Sequence, residues 1–442
     1  MADAVAQILF PFIQFLWVFV KTWWWVFLPF LLLPHAKYYW QWWRMYTFDV
    51  TVRRIVLEVK FPPDVQKPIK AMESVFAVWW QIHDPPNFRE KWIDGEYQLG
   101  FSIEMVSTEG APHFYIRLPE ESRRIVEAGL YSQFPDAELI EVEDYTRSVP
   151  RNVPNKDWKM WGATLKPGKP DIYPFRTYRK FFEETATEIK EETRVDPIAA
   201  LIEGMAKLGE GEHLWIQFLL SPRAPDETPF VEEGKKEVEK LVHRIPSSGK
   251  PATIPVTEDL RAVSATLFTG QPVEPRLIGG VEEEQGLLAP ELRLTTGERE
   301  VVGAIEEKIS KQIFVTTLRF IYLARTEKYL GVTKVLPFTY FQQFNTANLN
   351  FMRAIQTTKV YTVRSFFLDE RRRYIRRRRL FRVYLSRDNF SWPRSGGTFR
   401  LNIEEMASFF HFPGRIAFPS ATVPRVEIRK GEAPSQLPWA EE

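Results

Sequence analysis

The chain has 442 residues, is 44% hydrophobic and carries a net charge of +2, enough length for two or three domains with a sizeable core. It has no cysteine, which excludes disulfides, thiol catalysis and every cysteine-containing zinc site, and fits a reducing compartment. The near-neutral balance is uneven: Arg353 to Arg400 holds fourteen Lys/Arg against three Asp/Glu, so the rest of the chain is net acidic, and such a basic block is the footprint of a polyanion-facing surface.

Positions 4–36 contain a single charge, Lys21, and seven of the fifteen tryptophans fall within the first 43 residues. A basic n-region and a small-residue cleavage site are absent, so a secretory signal does not fit. The apolar run from Ile8 to Leu33 exceeds the about 20 residues needed to cross a bilayer. Two arrangements satisfy it. In one, a single span carries Lys21 near its middle, at about 3 kcal/mol unless the side chain snorkels. In the other, residues 4–20 cross and 26–34 re-enter, with Lys21, Trp23, Trp24 and Trp25 at the interface and Pro29 and Pro34 breaking the segment. Both end on an aromatic belt of Tyr38, Tyr39, Trp40, Trp42, Trp43 and Tyr46, flanked by Lys37 and Arg44. Arg53 and Arg54 follow, whereas only Asp3 precedes the run, so a cytoplasmic body at the inner (cytoplasmic) membrane is expected. Residues 1–47 form this anchor.

"FDVTVRRIVLEVKFP" alternates as a strand ending at Pro62. "DVQKPIKAMESVFAVWWQI" places Ile69, Met72, Phe76 and Trp79 or Trp80 on a helical stripe. "YQLGFSIEMVST" and "HFYIRLP" are strands about the turn "EGAP", "EESRRIVEAGLYSQF" is a helix and "AELIEVED" a strand. This β-α-β-β-α-β order is that of a ferredoxin-like split βαβ unit over residues 48–146. After the linker "VPRNVPNKD", a second α+β region spans 158–352. It opens on the alternating "WKMWGATLK", with helical stretches at 175–192 and 197–208. The strand "EHLWIQFLLSP", the charged helix "FVEEGKKEVEKLVHRI" and a loop insertion at 246–290 follow. A helix capped at Thr295 or Thr296 and the strand "IFVTTLRFIYLAR" complete a recurrence of the first pattern. Residues 353–417 hold the basic segment and the short helix "NIEEMASFFHFPG", with Asn402 as cap and Glu405 three positions on. The tail, 418–442, is proline-rich and extended. The expected class is α+β: a membrane-anchoring helical segment followed by two ferredoxin-like units.

No nucleotide-binding loop is present, since "PGKP" and "SGKP" put proline where a metal-binding hydroxyl belongs. No dinucleotide fingerprint, zinc-protease or nucleophile-elbow motif occurs. The histidines are scattered at 35, 83, 113, 213, 243 and 411. Acidic pairs such as Glu120–Glu121 and Glu404–Glu405 sit at helix starts, where carboxylates favour the dipole. No catalytic residue, cofactor or metal is therefore expected. The strong polar signal is "DERRRYIRRRRLFR": Arg371, Arg372, Arg373, Arg376, Arg377, Arg378, Arg379 and Arg382. The segment suits a helix or a strand, with Tyr374 and Phe381 a heptad apart on a buried stripe. Phe366, Phe367 and Tyr384 also interleave with it. Arginine binds phosphate bidentately and stacks on bases, so nucleic acid, anionic lipid, an acidic protein surface and plain solvation all remain open.

The stretch "YQLGFSIEMVSTEGAPHFYIRLPEESRRIVEAGLYSQFPDAELIEVEDY" resembles the accessory region of membrane-bound bacterial ATPases of the type IV secretion and conjugation kind, the HerA/FtsK class. So do "RRLFRVYLS" with "LNIEEMASFFHFPG", and "VPRVEIRKGEAPSQLP". The similarity covers most of residues 48–438. In that family such a helix stands shortly before the motor, whereas this chain ends at Glu442, where the motor would begin. The resemblance implies a non-enzymatic accessory scaffold that docks a separate ATPase subunit or other subunits. The expected partners are membrane lipid and a homo-oligomer or multi-subunit complex. The rival readings are a membrane-tethered nucleic-acid-binding protein using the arginine segment, and an enzyme with an unrecognised site.

Overall fold

The computed structural model describes residues 2–61, 68–183, 196–225, 227–242, 294–355, 369–387 and 397–413. The 246–290 insertion, residues 184–192 of the first helical stretch, Phe366, Phe367 and the tail from 414 onward lie outside these.

Helix α1 runs unbroken from Ala2 to Thr51 through Pro11, Pro29 and Pro34, although each proline removes one backbone hydrogen bond. A re-entrant arrangement needs a break at Pro29 or Pro34, and the helix has none there. Within its Trp17–Thr51 portion the most apolar 18-residue window has a mean hydropathy of 1.4, and the helix is long and apolar enough to cross a membrane. The helix also claims residues 48–51, where alternation predicts strand. The Thr47 and Thr51 hydroxyls donate back to the Arg44 and Phe48 carbonyls at 2.7 Å, and Asp49 accepts from both Arg54 and Tyr97. Strand pairing begins only at Arg54, opposite Pro119.

The first region comprises β1 (Arg54–Lys60), α2 (Lys70–Trp79), β2 (Phe101–Thr108), β3 (Ala111–Pro119), α3 (Arg123–Gln133) and β4 (Glu138–Val142). The β2–β3 turn is shorter than "EGAP". Thr108 pairs with Ala111, which leaves Glu109 (φ 54°) and Gly110 (φ 86°) as its two central residues. Positive φ at both positions matches the twist of a two-residue hairpin.

The second region begins with β5 (Trp158–Pro167), α4 (Tyr178–Glu183), α5 (Ala199–Ala206), β6 (Glu212–Arg223) and α6 (Phe230–Val242). It continues with α7 (Thr296–Ser310), β7 (Ile313–Arg325), α8 (Leu336–Gln342) and β8 (Met352–Ala354). Helix α9 (Asp369–Ser386), β9 (Thr398–Asn402) and α10 (Ile403–Phe409) follow. All pairings are antiparallel, in the order β4-β1-β3-β2-β6-β7-β5-β8, with β9 also on β7. The protein is thus α+β with one long apolar N-terminal helix. The two regions join where β2 pairs β6, from Phe101 opposite Leu220 to Thr108 opposite His213. One hydrophobic core crosses the junction. Read inward from its own edge, each half has the same order: β4-β1-β3-β2 and β8-β5-β7-β6.

The two faces of this sheet differ. On one, Phe101, Phe218 and Phe320 pack at 5.6, 6.1 and 5.1 Å against Trp79 of α2 and Phe341 and Phe338 of α8. Thr295 caps α7 and Asn402 caps α10, each in a reciprocal box with a glutamate three residues on. Glu405 additionally meets buried Lys308 at 2.9 Å, and Glu404 meets Lys311. This acidic pair thus caps and ties a helix. The opposite face carries a buried polar row. Glu104, Gln217 and Arg319 are successive cross-strand partners on β2, β6 and β7, and each is fully buried.

Candidate functional site: the arginine helix

The segment left open between helix and strand is a helix. Asp369 and Glu370 occupy the first turn of α9, where carboxylates interact favourably with the helix dipole. The helix is seated on the sheet through its C-terminal half, where Leu380, Phe381 and Tyr384 are buried. Tyr374 is 42% exposed, so the Tyr374–Phe381 stripe needs correction. The seated positions are 380, 381, 384 and 387, at helical spacing across β5, β6 and β2. Gly162 of β5 allows this approach, because a Cβ there would lie 2.6 Å from the Phe320 carbonyl and 3.0 Å from Leu380.

Arg387 locks this half down. Its Nε donates to Glu104 Oε1 at 2.7 Å and Nη2 to Oε2 at 3.0 Å. Nη1 and Nη2 donate to Asp144 at 2.6 and 3.1 Å. Ser102 and Gln217 complete the Glu104 shell at 2.7 and 2.9 Å, and Arg319 Nη1 donates to the Val383 carbonyl at 2.7 Å. Tyr384 and Tyr145 share a hydroxyl hydrogen bond of 2.9 Å. Arg387 adopts φ +55°, the left-handed region that helix ends usually give to glycine, at a cost of about 1–2 kcal/mol. Its four charge-assisted hydrogen bonds offset that cost. Burial alone would raise the Asp144 carboxyl, but the Arg387 hydrogen bonds and charge hold it at about 2. Glu104, fully buried, is likewise held below its ordinary range by Arg387.

The eight predicted arginines lie further out. Arg371, Arg372, Arg373, Arg378, Arg379 and Arg382 are exposed, while Arg376 and Arg377 are half-buried. Arg373 pairs with Asp369 at 2.5 Å inside the helix, and Arg378 donates to the Tyr374 hydroxyl at 2.9 Å. Arg371, Arg379 and Arg382 meet no carboxylate among the described residues. Burial lowers the Arg377 guanidinium from its ordinary value, and neighbouring Arg373 adds to the effect. A cavity of about 640 Å³ separates α9 from the Asn152–Lys159 segment, where Arg373, Arg377 and Arg378 face Lys156 and Lys159. The structure therefore brings two lysines to the arginine helix that spacing along the chain did not indicate.

The predicted interface residues line α1. Trp23, Trp24, Trp25, Tyr39, Trp40, Trp42, Trp43 and Tyr46 are all exposed, with Tyr38 and Arg44 half-buried. Trp42 stacks on Tyr46 at 6.0 Å and Trp40 lies 5.6 Å from Trp43. The belt ends against the body: Lys37 sits 4.6 Å from the Trp92 ring, and Trp40 Nε1 donates to the Trp92 carbonyl at 2.9 Å. Gly95 allows this contact, because a Cβ there would lie 2.3 Å from the Arg44 backbone.

Comparison with protein-family models and with curated proteins finds no match. Among the described residues no group of three or more His, Cys, Asp or Glu is placed to hold a metal ion. Sequence reasoning missed Arg387, Glu104 and Asp144. Their signal was a lone acidic residue, Glu104, inside the apolar strand "FSIEMVST", which once buried demands a cation.

Proposed function

We propose that the chain is a non-enzymatic membrane-anchored scaffold, an accessory subunit of a type IV secretion-like or DNA-translocation complex. Helix α1 anchors it in the cytoplasmic membrane, and the cytoplasmic body docks a motor or other subunits through α9. One observation carries this reading: α9 is seated by its C-terminal half, while its remaining length presents arginines outward, several without a carboxylate of their own. A cation row held rigidly in solvent suits an acidic partner surface, because fixed guanidinium forks lose little freedom on pairing. The exposed tryptophans and tyrosines of α1 support anchoring, since an exposed apolar surface of that size marks a membrane or a partner. Identical strand order in the two halves supports reading them as ferredoxin-like units, whose inner edges are joined to each other.

A second reading, membrane-tethered nucleic-acid binding, is favoured by Lys156 and Lys159 facing the arginines beside exposed Tyr374. The test is purification from native membranes in mild detergent after alkaline carbonate washing. The scaffold reading expects the protein to stay with the membrane and to bring protein partners that resist nuclease. Nuclease-sensitive, salt-labile nucleic acid in their place selects the second reading. Release into the carbonate wash contradicts both.

A further inference from the structure

A second basic cavity, of about 500 Å³, lies at the C-terminal end of α9. Arg117 of β3, Arg147 and Arg151 beyond β4, and Arg382 and Arg387 line it, with Asp144 as the carboxylate in its wall. The charges there do not balance. Glu104 and Asp144 are both taken by Arg387, and Glu143 by Arg147. Five guanidinium groups against three carboxylates leave an excess of two positive charges. The guanidinium groups of Arg117, Arg151 and Arg382 make no hydrogen bond or ion pair among the described residues. Arg117 is the telling member. It is half-buried on the sheet face, and burial together with the charges of Arg387 and Arg54 draws its guanidinium down to about 10, against the smaller opposing pull of Glu104 and Asp144. A half-buried cation with no carboxylate in contact is costly, and an incoming anion lowers that cost.

We infer that this cavity binds a phosphate monoester dianion, clamped by Arg117, Arg151 and Arg382. The charge excess matches a monoester, which carries about −1.5 to −2 at neutral pH and offers three acceptor oxygens. Arginine forks meet such oxygens bidentately. Asp144 does not repel the ligand strongly, because both its oxygens already accept from Arg387. The wall is in place before the ligand arrives, since Arg387 is fixed by four hydrogen bonds. A volume of this order takes a small phosphorylated molecule or a lipid headgroup whose phosphate is terminal. The inference needs neither the scaffold nor the nucleic-acid reading of the outward arginines.

The experiment titrates inorganic phosphate into the full-length protein in detergent, at constant ionic strength with chloride as control, and reads the thermal midpoint. Saturable protection is expected. Arg117→Gln and Arg382→Gln should each weaken it about tenfold or more, the loss of one charge-assisted contact. Arg382 is exposed, so its variant keeps the fold if Arg117→Gln does not. Replacing Arg371 and Arg379 by glutamine should leave phosphate protection intact, which separates this site from the outward row. Competition by dihexanoyl phosphatidic acid, tighter than phosphate itself, assigns the site to a lipid headgroup; weaker competition assigns it to a soluble phosphate. Both outcomes support the site. Protection no greater than in chloride, or protection unchanged in both single variants, overturns it.

Discussion

Arg382 and Arg387 stand near each other at the end of one helix, yet their environments are opposite. Arg387 is buried, holds two carboxylates and accepts an unfavourable backbone conformation to do so. Arg382 is exposed and meets no carboxylate among the described residues. The same side chain is a structural fastener where desolvated and paired, and a solvated surface cation where it is not. The contrast extends along α9, since the seated half fixes the direction in which the other half displays its charge.

The largest effect should follow from breaking the fastener. Arg387→Met leaves Glu104 buried without its cation, and stability should fall by about 3–5 kcal/mol, read by denaturation in detergent. A loss no larger than that of Arg382→Gln would erase the distinction between the two arginines. Next comes the outward row. If it meets phosphates, replacing Arg371, Arg372, Arg378 and Arg379 by glutamine should lower the log–log salt slope of polyanion binding by about 0.7–0.9 per lost contact. At low salt the affinity would fall on the order of a hundredfold. A fluorescent oligonucleotide titrated at several salt concentrations measures both.

Acid sharpens the comparison further. The folded Asp144 carboxyl stands at about 2, below its unfolded value of about 3.9. A depressed folded value means that its contribution is complete above about pH 4 and is lost as pH falls through about 2. That contribution is on the order of 2 kcal/mol, seen as a drop in melting temperature across this window. Glu104 adds in the same direction. Arg387→Met should flatten the window, because the cation that holds both carboxyls down is gone. The smallest effect belongs to the outward arginines themselves. Arg379→Gln and Arg382→Gln should each change stability by no more than about 0.5 kcal/mol.

Much of this was legible where local rules decide. Strand β7 and the two capping boxes follow from β-branched runs and from Thr or Asn placed three residues before glutamate. The α2 stripe followed from helical spacing, with Met72, Phe76 and Trp79 all buried. Residues 48–51 misled because their alternation satisfies a strand, while the tie of Asp49 to Arg54 and Tyr97 is a tertiary contact. The β2–β6 junction was invisible, since nothing in either strand names its distant partner. The polar row left a trace that reads only in retrospect. "IEM", "IQF" and "LRF" each place one polar residue between apolar neighbours, and the register stacks Glu104, Gln217 and Arg319 side by side beneath α9. The long apolar N-terminal helix was the most legible element, because Lys21 is the one charge in a long aromatic run.

The central claim is that α9 is a docking surface held in place by a buried fastener. Its most direct test compares the wild type with the variant bearing glutamine at 371, 372, 378 and 379, each purified from native membranes in mild detergent, with partner proteins quantified by mass spectrometry. The account predicts that the variant remains in the membrane and melts at the wild-type temperature, but loses its nuclease-resistant partners. An unchanged set of partners at unchanged stoichiometry would contradict it.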